Sequence, residues 1–505
     1  MNSIIDKGPF APCPSPFNMA AHVLARASAQ PDKEALTVMG RTQDKHWTYA
    51  QLEAAVRGTG TGLLQLGLEA GDILLLRLGN TAEFPIAYLG AIAVGVIPVP
   101  TSSQLTLGEV EKIVATLKPK GIAYGASVPS PLEGAFQRIS ETDLAEMHSL
   151  PPCDYTMGDP DRMAYIIYTS GTSGRPRAVM HAHRAIWARQ MMFDGWYGLQ
   201  ENDRLCHAGA FNWTYTLGTG LMDPWTIGAT ALITENGIAP DVLPDLMKSH
   251  QASLFAAAPG VYRKILKAGD ALELPTLRHG LSAGEKLSET LRSQWQKATG
   301  REVYEAYGMS ECSTFLSASP NVPATGGALG SVQKGRHIAL LTEDGIAAEG
   351  MVGQIAIHRS DPGLMLGYLG AAEDTAARYR GEWFLTGDLG ILSEDGQIHY
   401  QGRNDDMMNA GGYRVSPLEV EAALLSAPEA QKLTTLAVCD VEIKQDVRII
   451  VAFYTSEAEI DEAALEAQAE SRLAAYKRPK LYKRIDAMPL GPNNKLRRAA
   501  LKDFL

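Results

Sequence analysis

Apolar and polar positions follow two periods along the chain. Short apolar runs of strand length recur as DILLLRL (72–78), GIAYGA (121–126), MAYIIY (163–168), ATALIT (229–234) and SLFAAA (253–258). Their length and their β-branched and aromatic content predict strands. Between or after them lie helical patterns, such as DVLPDLMKSH (241–250) and ETLRSQWQKATG (289–300). This alternation over the first four hundred residues predicts an α/β fold with mostly parallel sheets. The most apolar run, FPIAYLGAIAVGVIPVP (84–100), is interrupted by Pro85, Pro98 and Pro100. It predicts a buried helix followed by a strand, and not a membrane span.

From about residue 325 the texture turns Gly-rich, with short strands in GQIAIH (353–358) and GILSEDGQIHYQG (390–402). SEDG between apolar runs predicts a hairpin, so this region reads as a small β-subdomain. Asn404-Asp405-Asp406 is a polar break. In SPLEVEAALL, Ser416 is placed to cap a helix, Pro417 to occupy its first turn and Glu419 to complete a capping box. Strands follow at TTLAVCD (434–440) and VRIIVAFYT (447–455), then an Ala/Glu-rich helix over 457–475. The expected organisation is a large N-terminal domain, 1–403, of α/β subdomains plus the β-subdomain, and a small α+β C-terminal domain, 404–505.

A length of 505 residues exceeds one compact core and agrees with more than one domain. A net charge of −11 argues against nucleic acid as the main partner but leaves small anionic ligands open. Cys13, Cys153, Cys206, Cys312 and Cys439 are scattered, with no CxxC pair. That disfavours a disulfide scaffold or a zinc site and fits a reducing compartment. The start, MNSIIDKGPFAPCPSPF, lacks a basic segment followed by an apolar core, so no secretory signal is expected and the cytoplasm is the expected location.

The stretch TSGTSGRPR (169–177) directly follows a predicted strand. Gly171 and Gly174 allow close backbone approach to a ligand. Successive N–H groups in such a turn can form an anion-binding nest. Thr169, Ser170, Thr172 and Ser173 add hydroxyls, and Arg175 and Arg177 add charge. The spacing is not that of a Walker loop. Taken alone, the stretch fits a polyphosphate grip or a flexible linker equally well.

Five stretches together decide the matter: YTSGTSGRPR (168–177), SAGEKL (282–287), AYGMSE (306–311), TGD (386–388) with YQGRNDD (400–406), and PLGPNNKLRRAAL (489–501). In this order they resemble the adenylate-forming superfamily of acyl- and aryl-CoA ligases, luciferases and adenylation domains. The resemblance runs from WTYAQL (47–52) to the last ten residues. It implies a carboxylate attacking the α-phosphate of ATP, then a thiol taking the acyl group and releasing AMP. ATP, Mg²⁺ and coenzyme A are the implied cofactors and co-substrates.

The resemblance also implies residue roles. Thr169, Ser170, Gly171, Thr172, Ser173 and Gly174 hold the β,γ-phosphates with Arg177, which stands where the family usually has Lys. Tyr307 and Gly308 pack on adenine opposite Gly284 and Glu285. Ser310, where Thr is usual, bonds the α-phosphate, and Glu311 binds Mg²⁺. Asp388 accepts the ribose hydroxyls, and Arg403 reaches ribose or phosphate. Lys495 is the catalytic lysine, bridging carboxylate and α-phosphate; Asn494 precedes it where Gly is common. Asp405 is the hinge about which a mobile C-terminal domain rotates. Gly411 and Gly412 then leave room for a pantetheine channel.

The matching acyl region is HAGAFNWTYTLGTGLMDPWTIGA (207–229). His207, Phe211, Asn212, Trp213 and Tyr215 are the candidate substrate residues, and core packing is the alternative for the aromatics. LMDPW (221–225) is similar to medium-chain and benzoate-type acyl-CoA synthetases. Bulky rings suit a small aromatic or a short to medium acyl group, and Asn212, where amino-acid-activating relatives commonly carry Asp, argues against a free amino acid. A stand-alone adenylation enzyme loading a carrier protein is the alternative. A catalytically dead nucleotide binder is disfavoured by Ser310, Glu311, Asp388, Arg403 and Lys495. The expected partners are a small carboxylic acid, ATP and CoA, with no nucleic acid and no membrane span; a homodimer is left open.

Overall fold

The computed structural model describes residues 2–169, 177–269, 271–404, 406–410, 413–444, 447–491 and 496–505. Its backbone contacts define two compact units. One comprises Ile5–His337 with His358–Glu382; the other comprises Ile338–Ile357 and Trp383–Leu505 with the N-terminal residues up to Ile4.

In the larger unit the predicted strands form parallel sheets. Glu34–Met39, Thr230–Thr234, Arg204–Ala208, Leu254–Ala257, His279–Ala283 and Val303–Met309 lie side by side in that order, all parallel. Antiparallel strands Lys45–Thr48 and Ser313–Ser317 flank this block. A second parallel sheet orders Ile97–Pro100, Ile73–Arg77, Gly121–Tyr124 and Gln137–Ser140. Parallel strands buried on both faces read as continuous apolar runs, which is why they were legible as strands. The run at 84–100 is a helix, Glu83–Ala93, then the strand Ile97–Pro100, with nearly every helical residue buried. Among the described residues no helix is long and apolar enough to cross a membrane.

A third, antiparallel sheet joins Met163–Thr169, Arg177–Ala182 and Gly367–Tyr368. The segment quoted above is therefore the connection of a hairpin, entered and left at the paired residues Thr169 and Arg177.

In the smaller unit, Trp383–Leu392 and Gln397–Arg403 form the hairpin that SEDG predicted, closed by Ser393 N–H donating to Gln397 O across 3.0 Å. Thr435–Lys444, Val447–Thr455 and Leu481–Arg484 form a second sheet, packed with helices Pro417–Leu425 and Glu462–Arg472 around Val420, Leu424, Val438, Ile450 and Leu465. Two local expectations change. Ser416 stands at the helix N-cap and Pro417 in the first turn, but the Ser416 hydroxyl donates to Gln401 O at 2.6 Å, and Glu419 pairs with Lys477 at 2.5 Å. A longer-range partner has captured each half of the expected capping box. The helix over 457–475 is shorter, Glu462–Arg472, because Asp461 caps it through Ala463 and Ala464 N–H.

Candidate active site

The larger unit gathers several of the candidate residues around Glu311. The Tyr368 hydroxyl donates to Glu311 Oε1 at 2.7 Å. Tyr368 pairs with Val179 on the hairpin strand Arg177–Ala182, so Glu311 is tied to the strand that leaves the hydroxyl-rich connection. Burial first, and the Glu311 charge next, raise the Tyr368 phenol pKa, which keeps it a donor. The Arg177 guanidinium lies 5.5 Å from the centre of the Tyr368 ring and forms an ion pair with Asp374. At the mouth of the hairpin Thr169 Oγ1 faces Arg177 O at 3.5 Å. Ser170, Gly171, Thr172, Ser173 and Gly174 lie outside the described residues.

Tyr307 and Gly308 sit at the end of the strand Val303–Met309, where its register with Ser313–Ser317 slips. The Tyr307 ring meets Phe315 edge-on at 5.2 Å. A Cβ on Gly308 would stand 2.1 Å from Ser313 O and 2.5 Å from Thr314 Cα, so only glycine admits this backbone approach. Gly284 turns the chain out of the strand His279–Ala283 with φ +93°, leaving Glu285 exposed. The SAGEKL turn is anchored from below by Glu305, whose Oε1 accepts Leu287 N–H at 2.9 Å. Burial raises the pKa of Glu305 to about 7, opposed by that hydrogen bond and by Arg292. Ser310 O accepts from His181 Nε2 at 2.8 Å. A carbonyl only accepts, so Nε2 carries the hydrogen, and burial lowers the His181 pKa to about 4. The strand that follows opens on Ser313, a non-glycine at φ +66°, whose hydroxyl accepts from Arg189 Nη1 at 2.5 Å.

The substrate candidates divide. His207 and Tyr215 come together, ring centres 4.5 Å apart, and the Tyr215 hydroxyl donates to Leu281 O at 3.0 Å. His207 is 2% exposed, burial lowers its pKa to about 3, and neither ring nitrogen has a partner among the described residues. Phe211 instead packs on Phe84 at 5.6 Å, in the core around the helix Glu83–Ala93. Phe211 and Asn212 line a groove of about 220 Å³ with Asn80 and Asn236. Trp213 is half-buried and precedes a π-helical segment, Tyr215–Met222, of the wide-turn type often found at functional sites.

In the smaller unit Asp388 and Arg403 face each other as a strand pair, with Arg403 Nη1 3.7 Å from Asp388 Oδ1. The Tyr400 hydroxyl donates to the same oxygen at 2.8 Å. Asp405, Gly411, Gly412 and Lys495 lie outside the described residues. The segment after Lys495 is fastened to this unit by Arg498, which bonds Val438 O at 2.6 Å and pairs with Glu421.

Tyr368, Asp374, His181 and Tyr400 were not singled out from the sequence. Tyr368 and Glu311 are 57 positions apart, and His181 and Ser310 are 129 apart, so no local spacing announces them. Tyr400 lies inside YQGRNDD and pairs across the hairpin beside Asp388, a relation that strand alternation alone could have suggested.

The model of the AMP-binding enzyme family matches residues 23–369. The chain belongs to the AMP-binding enzyme family. Among curated relatives, the 3-hydroxybenzoate–CoA ligase of Aromatoleum sp. (strain CIB) is 26% identical over 482 residues, covering 91% of this chain and 91% of that protein. Acyl-coenzyme A synthetase ACSM2A, mitochondrial, of Homo sapiens is 26% identical over 527 residues, covering 97% of this chain and 91% of that protein. Of solved structures, a benzoate CoA ligase from Burkholderia xenovorans LB400 superposes with a TM-score of 0.85 at 25% identity, covering 96% of this chain and all of that one.

Proposed function

We propose that the chain is an AMP-forming acid–thiol ligase that converts a small carboxylic acid, aromatic of the benzoate kind or of short to medium chain, first to its acyl-adenylate and then to the CoA thioester. The observation that carries this reading is the link from Glu311 through Tyr368 to the strand leaving the hydroxyl-rich hairpin. It ties a carboxylate to the strand that leaves the connection we read as phosphate-binding, and a carboxylate beside phosphates is the pairing that a Mg²⁺–triphosphate needs. The curated relatives reported above are by name a CoA ligase and an acyl-coenzyme A synthetase, which supports the reading.

A carboxylate is a poor acyl donor because its leaving group is oxide. Transfer of its oxygen to the α-phosphate expels pyrophosphate and creates a good leaving group, AMP. Phosphoryl transfer of this kind is helped chiefly by positioning and by offsetting charge. Tyr307 stacks the adenine, Ser310 bonds the α-phosphate and Asp388, steadied by Tyr400, takes the ribose hydroxyls. One firmly held carboxylate suits Mg²⁺, which keeps waters and takes phosphate oxygens as its other ligands. Bound there, the ion would neutralise the triphosphate. Lys495 offsets the charge of the attacking carboxylate and the α-phosphate. The lid is residues 404–505, turning at Asp405, with Gly411 and Gly412 at the CoA channel. The reading places the protein in the cytoplasm.

A pyrophosphate-release screen over aromatic and short- to medium-chain acids, with and without CoA, tests it. Acid-dependent release with CoA thioester formed in equal amount supports the ligase. Acid-dependent release without any thioester to CoA favours a carrier-protein acceptor, and no release with any acid contradicts the reading.

A further inference from the structure

Behind Ser310 and Ser313 lies a partly open cavity of about 30 Å³, lined also by Tyr88, Tyr165, His181 and Arg189. That volume holds one or two water-sized groups and no ring. Thr214, between Trp213 and Tyr215, and Gly218 form another part of its wall, so it abuts the segment that carries the substrate candidates.

The polar groups at this cavity are of two kinds. Arg189 is fully engaged. Its Nε and Nη2 donate to the two oxygens of Asp223 at 2.8 and 2.6 Å, Nη2 also reaches Thr219 and Tyr197, and Nη1 holds Ser313. Asp223 is fully buried, so the pair is a neutral unit that offers no net charge to a ligand. The second kind is unsatisfied. Tyr88 is 1% exposed and Tyr165 is half-buried, and neither hydroxyl has a hydrogen-bond partner among the described residues. The two phenol rings are 5.8 Å apart, and Tyr165 stacks on His181 at 4.8 Å. His181 Nδ1, a bare acceptor in the tautomer fixed by Ser310, is buried without a partner among the described residues. Two phenol hydroxyls and one imidazole nitrogen thus line one small void with their bonding capacity open to a polar guest.

We propose that this cavity is the terminal subsite of the acid pocket and receives a neutral hydroxyl substituent of an aryl acid, bonded by Tyr88 and Tyr165. This rests on the ligase reading above. The chemistry follows from the two kinds of group. A phenolic hydroxyl both donates and accepts, which two open tyrosine hydroxyls can satisfy in either direction. A second carboxylate is disfavoured, because Arg189 already has its counter-ion and burial would leave the added charge unpaired. An unsubstituted ring is disfavoured more mildly, because it leaves the phenols dry and unpaired.

The test compares benzoate, 3-hydroxybenzoate, 4-hydroxybenzoate and benzene-1,3- and 1,4-dicarboxylate by kcat/KM in pyrophosphate release. One of the two hydroxybenzoates is expected to exceed benzoate by about tenfold or more, and the diacids to fall below both. In Tyr88→Phe and Tyr165→Phe, which keep the ring shape, the hydroxybenzoate-to-benzoate ratio should drop toward one. A wild-type ratio near one, or a ratio that both variants leave unaltered, overturns the proposal even when acids are activated. Should no acid release pyrophosphate, calorimetric titration with the same acids decides the subsite separately. Tighter binding of a hydroxybenzoate that is lost in the double variant upholds it, and equal or absent binding overturns it.

Discussion

Tyr368 and Glu311 are joined by a hydrogen bond of 2.7 Å, with the phenol as donor and the carboxylate as acceptor. The bond fixes the direction of the carboxylate that the proposed reaction needs for Mg²⁺, and it does so from the strand that pairs with the hairpin. A hydrogen bond to a charged group is worth about 1.5–3 kcal/mol. Tyr368→Phe is therefore expected to lower kcat/KM for Mg·ATP about tenfold and to raise the Mg²⁺ concentration at half-maximal rate. A variant with an unaltered Mg²⁺ titration curve would show that the bond serves packing alone.

Gly308 offers a sharper structural test. An added methyl would meet the Ser313 carbonyl oxygen at 2.1 Å and Thr314 Cα at 2.5 Å, both backbone atoms that cannot step aside. Gly308→Ala should push the strand carrying Tyr307 away from Ser313–Ser317. The expected cost is about 2–4 kcal/mol in urea unfolding, with weaker AMP binding by calorimetry. Wild-type stability and AMP affinity in this variant would contradict the packing described here.

The parallel core of the larger unit was legible because its strands are apolar on both faces, as at ILLLR (73–77) and TALIT (230–234). The hairpin at SEDG was legible through its turn residues. The capping box at Ser416 failed because Gln401 and Lys477, distant in sequence, offered better partners than the helix's own first turn. The same limit applies to the site. Glu311 and Asp388 stood out through their motifs, whereas the residues that orient them, Tyr368 and Tyr400, are defined by strand pairing. Phe211 and Tyr215 are four positions apart, yet they join different cores, because the turn between them sends one toward Phe84 and the other toward His207.

Buried histidines set an acid limit on stability. Burial lowers the pKa of His181 and His279 to about 4 and of His183 and His207 to about 3. Unfolding restores an ordinary value near 6.5. The unfolded chain then binds protons that the folded chain refuses, so stability is complete above about pH 6.5 and falls as the pH drops toward 4, by about 1.4 kcal/mol per pH unit for each histidine. Urea midpoints should drop steeply between pH 7 and pH 5. His183 Nδ1 accepts Met19 N–H at 3.0 Å, and His183→Asn, which retains an acceptor and cannot titrate, should flatten the slope by its share. Equal midpoints at pH 7 and 5 would refute the assignment of neutral buried histidines.

The proposed division of labour makes Lys495 matter in one step. Lys495→Ala should slow adenylate formation about 10²–10³-fold, the usual effect of losing a preorganised electrostatic donor. Thioester formation from synthetic acyl-AMP should suffer much less. Asp405→Pro should show the opposite balance, because fixing φ at the hinge hinders the rotation. The two half-reactions measured separately in each variant decide this, and equal slowing of both steps by Lys495→Ala would show that the lysine does not act on the adenylation step alone.

The central claim is that the acid's own oxygen attacks the α-phosphate. When the thiol later takes the acyl group, the bridging oxygen must leave with AMP. A turnover with ¹⁸O-labelled carboxylate, ATP, Mg²⁺ and CoA, analysed by mass spectrometry of the nucleotide, reads this directly. The account predicts one labelled oxygen in AMP for each thioester formed from doubly labelled acid, and none in pyrophosphate. Label in pyrophosphate or inorganic phosphate, or unlabelled AMP beside labelled thioester, would contradict it.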